Sequence, residues 1–197
     1  MNLPPSLRRA AVVAALVTVT SPLAACGGGG NTSSWVGTFC GAGSDLRGSL
    51  SRSNDQLREV LKAGGAPADV KLSVVSSAGA YVNASTVAGV RVKQAGEPSV
   101  DQGAEIEAAV VAKYAAIDTQ LKALQDEAEA LPTSSTGALA DALGPYSQKL
   151  SDVSRDVAGS FEELKQYKGY AKLDKVSRTP DDYDTADSCT RLRTVAP

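Results

Sequence analysis

Residues 106–131 read IEAAVVAKYAAIDTQLKALQDEAEAL. Ile106, Val110, Tyr114, Ile117, Leu121, Leu124, Ala128 and Leu131 follow one another by fours and threes along this stretch. Such steps place apolar side chains on one face of an α-helix, and a narrow stripe on a long helix needs other helices to cover it. Upstream, Pro98 precedes Ser99 and Gln102 at capping-box spacing, with Asp101 and Glu105 supplying negative charge where the helix dipole favours it. Pro132 ends the pattern.

The same periodicity recurs on both sides. Trp35, Phe39, Ala42, Leu46, Leu50, Leu57, Val60 and Leu61 form a first stripe that Gly64, Gly65 and Pro67 stop. Between about Ala68 and Ala95, Val74, Ala78, Tyr81, Ser85, Ala88 and Val92 make a second. It is the weakest, because Val, Ser, Thr and Gly all disfavour helix and Val90-Arg91-Val92-Lys93 alternates as a strand would. No other segment offers a pairing strand, so helix is the reading. Ser76, Ser77, Gly79, Ser85, Thr86 and Gly89 stand where the other helices carry leucines; they either allow close packing or leave a partly polar groove for a ligand or partner helix.

A fourth stripe starts within Thr133–Thr136 and runs through Leu139, Leu143, Tyr146, Leu150, Val153, Val157, Phe161 and Leu164, with a kink or break expected at Gly144-Pro145. A short fifth helix is predicted with Thr179 as cap, Pro180 at its first position, and Tyr183, Ala186, Cys189 and Leu192 on one side. The fold class is therefore all-α: an antiparallel up-down-up-down four-helix bundle, helix one beside helix four, plus a short C-terminal helix across the N-terminal end.

Ahead of the bundle, Arg8 and Arg9 precede the apolar run Ala10–Val19, then Ser21, Pro22 and small residues before Cys26. That layout is a secretory signal and is too short for a spanning helix. Leu23-Ala24-Ala25-Cys26 resembles the lipobox of bacterial lipoproteins, and Gly27–Gly30 resembles their tether. Taken with Trp35–Cys40, with Ala95–Gly103 entering a helix, and with a cysteine between Ala186 and Leu192, the chain is similar to a group of uncharacterised actinobacterial lipoproteins with helical domains. The resemblance implies cleavage before Cys26 and a diacylglyceryl thioether on its sulfur; the alternative is an ordinary secretory signal with Cys26 a plain thiol. The organisation expected is a signal peptide at 1–25, a lipid-anchored Gly/Ser-rich tether at 26–34 and the helical domain at 35–197. Cleavage would lower the basic count from 20 to 18 against 22 acidic residues, a balance of −4, so attachment would rest on lipid rather than electrostatics. The expected place is the outer face of the cytoplasmic membrane, or the outside of the cell if no anchor forms. Cys40 and Cys189 then allow one pairing in an oxidising compartment, the alternative being two buried free thiols.

Composition removes whole chemistries. With no histidine there is no Ser-His-Asp or Cys-His engine and no His-ligated zinc, copper, di-iron or haem site. A net charge of −2 offers no basic field for nucleic acid. Asp181, Asp182, Asp184 and Asp187 lack the ligand order of a calcium loop and read as a helix start. Glu162-Glu163 and Asp126-Glu127-Glu129 read as solvated helix faces. Lys165-Gln-Tyr167-Lys168-Gly-Tyr170-Ala-Lys172 mixes base and ring as polysaccharide or nucleic-acid surfaces do, yet its three or so lysines suit an exposed helix end better. Trp35 and Phe39 could meet headgroups, but their step favours the core. The expectation is a lipid-anchored, non-enzymatic interaction or structural module without cofactor, catalytic residue or metal, and with room for a protein partner in the envelope. The alternative is a small-molecule or lipid carrier with a cavity between helices.

Overall fold

The structure, a computed structural model, describes residues 31–179 and 183–194. The signal-like residues, Cys26, Pro180, Asp181 and Asp182 lie outside them. Four long helices, α1 (Thr32–Lys62), α2 (Pro67–Ala95), α3 (Gly103–Glu129) and α4 (Thr136–Gly159), pack antiparallel in sequence order. A 3-10 turn (Glu162–Gln166) and two short helices, α5 (Tyr170–Arg178) and α6 (Tyr183–Arg193), follow. Among the described residues no helix is long and apolar enough to cross a membrane.

Local chemistry sets the ends. The Asn31 side chain accepts a 3.1 Å bond from the Ser33 amide, so α1 takes in Thr32–Ser34. Ser135 caps α4 in the same way, accepting from the Ala138 amide at 3.1 Å. α2 runs unbroken through Val90–Lys93, without a strand, and closes at Gly96 with φ 65°.

The capping box read at Ser99 and Gln102 does not form. Gln102 sits left-handed at φ 59° and makes no cap bond; its Oε1 accepts from the Lys168 amide at 2.9 Å instead. The Ser99 carbonyl accepts from Lys172 Nζ at 2.8 Å and Thr32 Oγ1 at 3.3 Å. Segment 98–102 is thus recruited by α1 and α5, and tertiary contacts override the local cap.

The buried stripes match the sequence periodicity on all four helices, with one exception at the end of α1, where Val60 is half-buried and Leu61 is exposed. Of the kink or break expected at Gly144-Pro145, the break does not occur: α4 runs continuously through Pro145, which lies on its exposed side, where the carbonyl it frees can reach water. α4 ends earlier than its stripe. Phe161 and Leu164 are buried, but beyond Gly159, Phe161 just ahead of the 3-10 turn and Leu164 within it. The segment 165–172, read as an exposed helix end, runs from the end of the 3-10 turn into the first turn of a further helix, α5, which sequence reasoning missed. Thr179 closes that helix, donating to the Lys175 carbonyl at 2.9 Å, and the helix start expected at Pro180 lies outside the described residues. α1 does touch α4, but it packs more extensively on α2 and on α6.

Candidate functional site

Cys40 and Cys189, on α1 and α6, form the expected disulfide. Around it Trp35 and Phe39 stack at 5.3 Å, Phe39 meets Phe161 at 5.7 Å and Tyr114 edge-on at 6.0 Å, and the Arg193 guanidinium lies 4.4 Å over Phe161. Trp35 and Phe39 are buried, so they form core rather than a headgroup contact. Arg193 also donates to Asp174 Oδ1 at 3.0 Å and to Ser177 Oγ at 2.6 Å, joining α6 to α5.

The acidic groups are dispersed into ion pairs. Glu163 binds Lys113 at 2.7 Å, Glu162 pairs with Lys165, Glu127 with Lys149, and Asp187 with Arg191 at 3.1 Å. Glu163 ties the 3-10 turn to α3 through Lys113, a structural task its reading as a solvated face did not foresee, while the Glu162–Lys165 pair lies within the turn. Asp184 is exposed. Among the described residues no group of three or more Cys, Asp or Glu side chains is arranged to hold a metal ion. The lysine-tyrosine stretch is an internal seam: Tyr167 and Tyr170 pack on the core, while Lys168 and Lys172 bond to segment 98–102.

Three buried tyrosines, Tyr81, Tyr114 and Tyr146, carry hydroxyls that no hydrogen bond of proper geometry reaches. Burial pushes the Tyr81 phenol up to about 12, with the Ser53 hydroxyl acting weakly against it. Burial also raises Tyr114 and Tyr146; Ser160 opposes the first shift, and the negative charge of Glu127 adds to the second. These groups stay neutral far above neutral pH and offer no general base.

Two features that a partner could use involve α2. A furrow of about 430 Å³ lies along the α1–α2 seam. It exists because Ala80, Ala84 and Ala88 face Ala42, Ser49 and Ser53, side chains too small to fill the space between two helix axes. One end carries the ion pair of Arg91 Nη1 with Asp45 Oδ2 at 2.6 Å, and Arg52 stands at the rim, 3.3 Å from Ser49 Oγ. The volume suits a small amphipathic ligand.

The second feature is the outer face of α2. Of the small residues noted in sequence, only Ser85 is buried; Ser76 and Thr86 are exposed, and nothing lies within 4 Å of where a Cβ on Gly79 or Gly89 would be. Apart from Ser85, the inward stripe of Val, Ala and Tyr is separate from them. Ser85 Oγ donates to Asp118 Oδ1 at 2.6 Å and Thr86 Oγ1 donates to the same oxygen at 3.1 Å, tying α2 to α3. Outward, Leu72, Val87 and Val90 are large exposed apolar residues, with Leu72 74% exposed. From Leu72 to Val90 there is no charged side chain. No protein-family model, curated protein or solved structure matches this chain.

Proposed function

We propose that this protein is a non-enzymatic interaction module of a bacterial cell envelope, related to the actinobacterial lipoproteins it resembles and anchored at the outer face of the cytoplasmic membrane by lipid on Cys26. The observation that carries the interaction role is the outer face of α2. Solvated helix faces carry interspersed charge, whereas this one is uncharged over residues 72–90 and exposes Leu72, Val87 and Val90. The anchor rests on the signal and lipobox pattern of residues 8–26. The Cys40–Cys189 bond is consistent with an oxidising compartment outside the cytoplasm.

Photo-crosslinking in cells from Val87 should capture one defined protein band, and its absence would reject the interaction role. Cys26→Ser should move the protein from the detergent phase to the soluble fraction; unchanged partitioning would reject the anchor. The furrow favours a second reading, a carrier of a small amphipathic molecule. Native mass spectrometry of the purified protein would support it by a co-purified adduct that Ala84→Trp abolishes.

A further inference from the structure

We infer that the partner of the α2 outer face is a second copy of this chain, docked antiparallel through the same face. This rests on the interaction role proposed above and names its occupant. Starting at Asp69, the outward line advances by threes and fours to Lys93, which is the repeat of a coiled-coil seam. Every residue on the line is exposed except Gly79, which is half-exposed and has open space over its backbone. Among the described residues no helix lies over this face, whose Thr86 is bonded sideways to Asp118 of α3.

The line is complementary to its own reverse. A two-fold axis passing beside residue 81 sets Leu72 against Val90 of the other copy and Ser76 against Thr86. It sets Gly79 against Asn83 and Asp69 against Lys93. Apolar meets apolar, small meets small and acid meets base, at all positions in one register. A parallel pairing in register instead sets Asp69 against Asp69 and Lys93 against Lys93, placing like charges together at both ends. The antiparallel arrangement also opposes the two helix dipoles. Val75, Val82, Ala80 and Val87, which flank the line on α2, are uncharged; the charged neighbours of the line are Asp118, paired with Lys122 and bonded to Thr86, and Asp55 and Glu59 of α1, which share a groove with Leu72 and Ser76. Gly79, with open space over its backbone, receives the Asn83 side chain of the other copy at the centre, and the larger Leu72 and Val90 pack at the ends. This is an isologous interface, each contact occurring twice. The segment from Asp69 to Lys93 spans roughly 36 Å at the rise of an α-helix. One helix pair of that length is at the small end of specific interfaces, so the dimer is reversible. Anchoring two copies to one membrane raises their effective concentration and favours it.

The test uses the protein as its host exports it, solubilised in mild detergent. Light scattering on a size-exclusion column should give a concentration-dependent dimer, and Gly79→Arg should weaken it by roughly tenfold or more, the scale of one well-placed repulsive or steric change. The fold of that variant is secured by the open space over Gly79, and an unchanged circular dichroism melt verifies it. Differently tagged Leu72→Cys and Val90→Cys chains, mixed under mild oxidation, should give a mixed dimer whose linked peptides map to 72 and 90. A monomer at all concentrations, or Leu72→Cys chains linked to each other instead, overturns the inference. If the protein is monomeric while Val87 captures a different protein in cells, the interaction role stands and only self-pairing falls. If neither partner is found, both fall.

Discussion

Trp35 Nε1 donates a 2.8 Å hydrogen bond to the carbonyl of Gly96, fastening the first turn of α1 to the residue that closes α2. The indole is buried, and its ring also stacks on Phe39. Two distant helix ends therefore meet in one side chain. Trp35→Phe keeps a ring for the stack and removes the donor, so it should cost about 1–2 kcal/mol, the worth of a bond whose acceptor is then left short of a partner. Urea unfolding followed by circular dichroism measures this, and an unchanged midpoint would show that the bond carries no stability.

The Asp118 carboxyl is held below its usual value. Burial works against its ionisation, but the hydrogen bonds from Lys122, Ser85 and Thr86, with the Lys122 charge, outweigh burial. A carboxylate with a depressed value in the folded state stabilises the protein above its unfolded value, and that contribution is lost as pH falls through the folded one. The acid limb of the melting temperature should thus be shallower in Asp118→Asn than in the natural protein. Parallel acid limbs would show that the Ser85–Asp118 link does not govern acid stability.

Alkaline titration should divide the six tyrosines. Tyr81, Tyr114 and Tyr146, raised by burial, ionise only as the protein opens. Because their folded values lie above the unfolded one, stability declines as pH rises beyond about 10. Ultraviolet absorbance should show a phase of tyrosine ionisation that coincides with loss of helix. Six tyrosines ionising together before any unfolding would contradict the burial described.

Reduction of Cys40–Cys189 frees a loop of 149 residues. Chain entropy puts the loss at about 4–5 kcal/mol. For a domain of this size that corresponds to roughly a 10–20 °C fall in melting temperature. Thermal melts of Cys40→Ser with Cys189→Ser, set beside the oxidised protein, provide the measurement.

Gly43 and Gly89 should respond oppositely to alanine. A Cβ at Gly43 meets Leu192 Cδ1 at 2.6 Å and Tyr114 Oη at 2.8 Å, both on fully buried side chains, so Gly43→Ala should destabilise by about 1–3 kcal/mol. Gly89 has no neighbour within 4 Å, and Gly89→Ala should stabilise by about 0.5–1 kcal/mol through helix propensity alone. Equal effects at the two sites would refute the packing of α6 on α1.

The bundle was legible because burial in a helix pair imposes a spacing that survives even where propensity is poor, as Val74, Ala78 and Tyr81 show on α2. The elements beyond Gly159 were harder, since periodicity runs on through Phe161 and Leu164 although the backbone has changed to a 3-10 turn. α5 was hidden by its shortness and by the lysines around its aromatic residues, yet Tyr170, Leu173 and Ser177 already carry a helical step with Asp174 and Arg178 as an i,i+4 pair. Gln102 was misread because spacing cannot reveal that its amide oxygen is claimed by Lys168, far along the chain. The α2 face was noticed for its small residues, but which side they occupy depends on where α1 and α3 sit.

The bond between Cys40 and Cys189 also decides how the molecule bears tension. A pull applied at the two ends of the described chain enters α1 at Asn31 and leaves α6 at Thr194, crossing from one helix to the other through sulfur. Everything from residue 41 to residue 188 lies off that line of force. Tension alone can draw out only the short stubs on either side, about 3.5 Å for each residue released, and the segment between the two cysteines carries none of it.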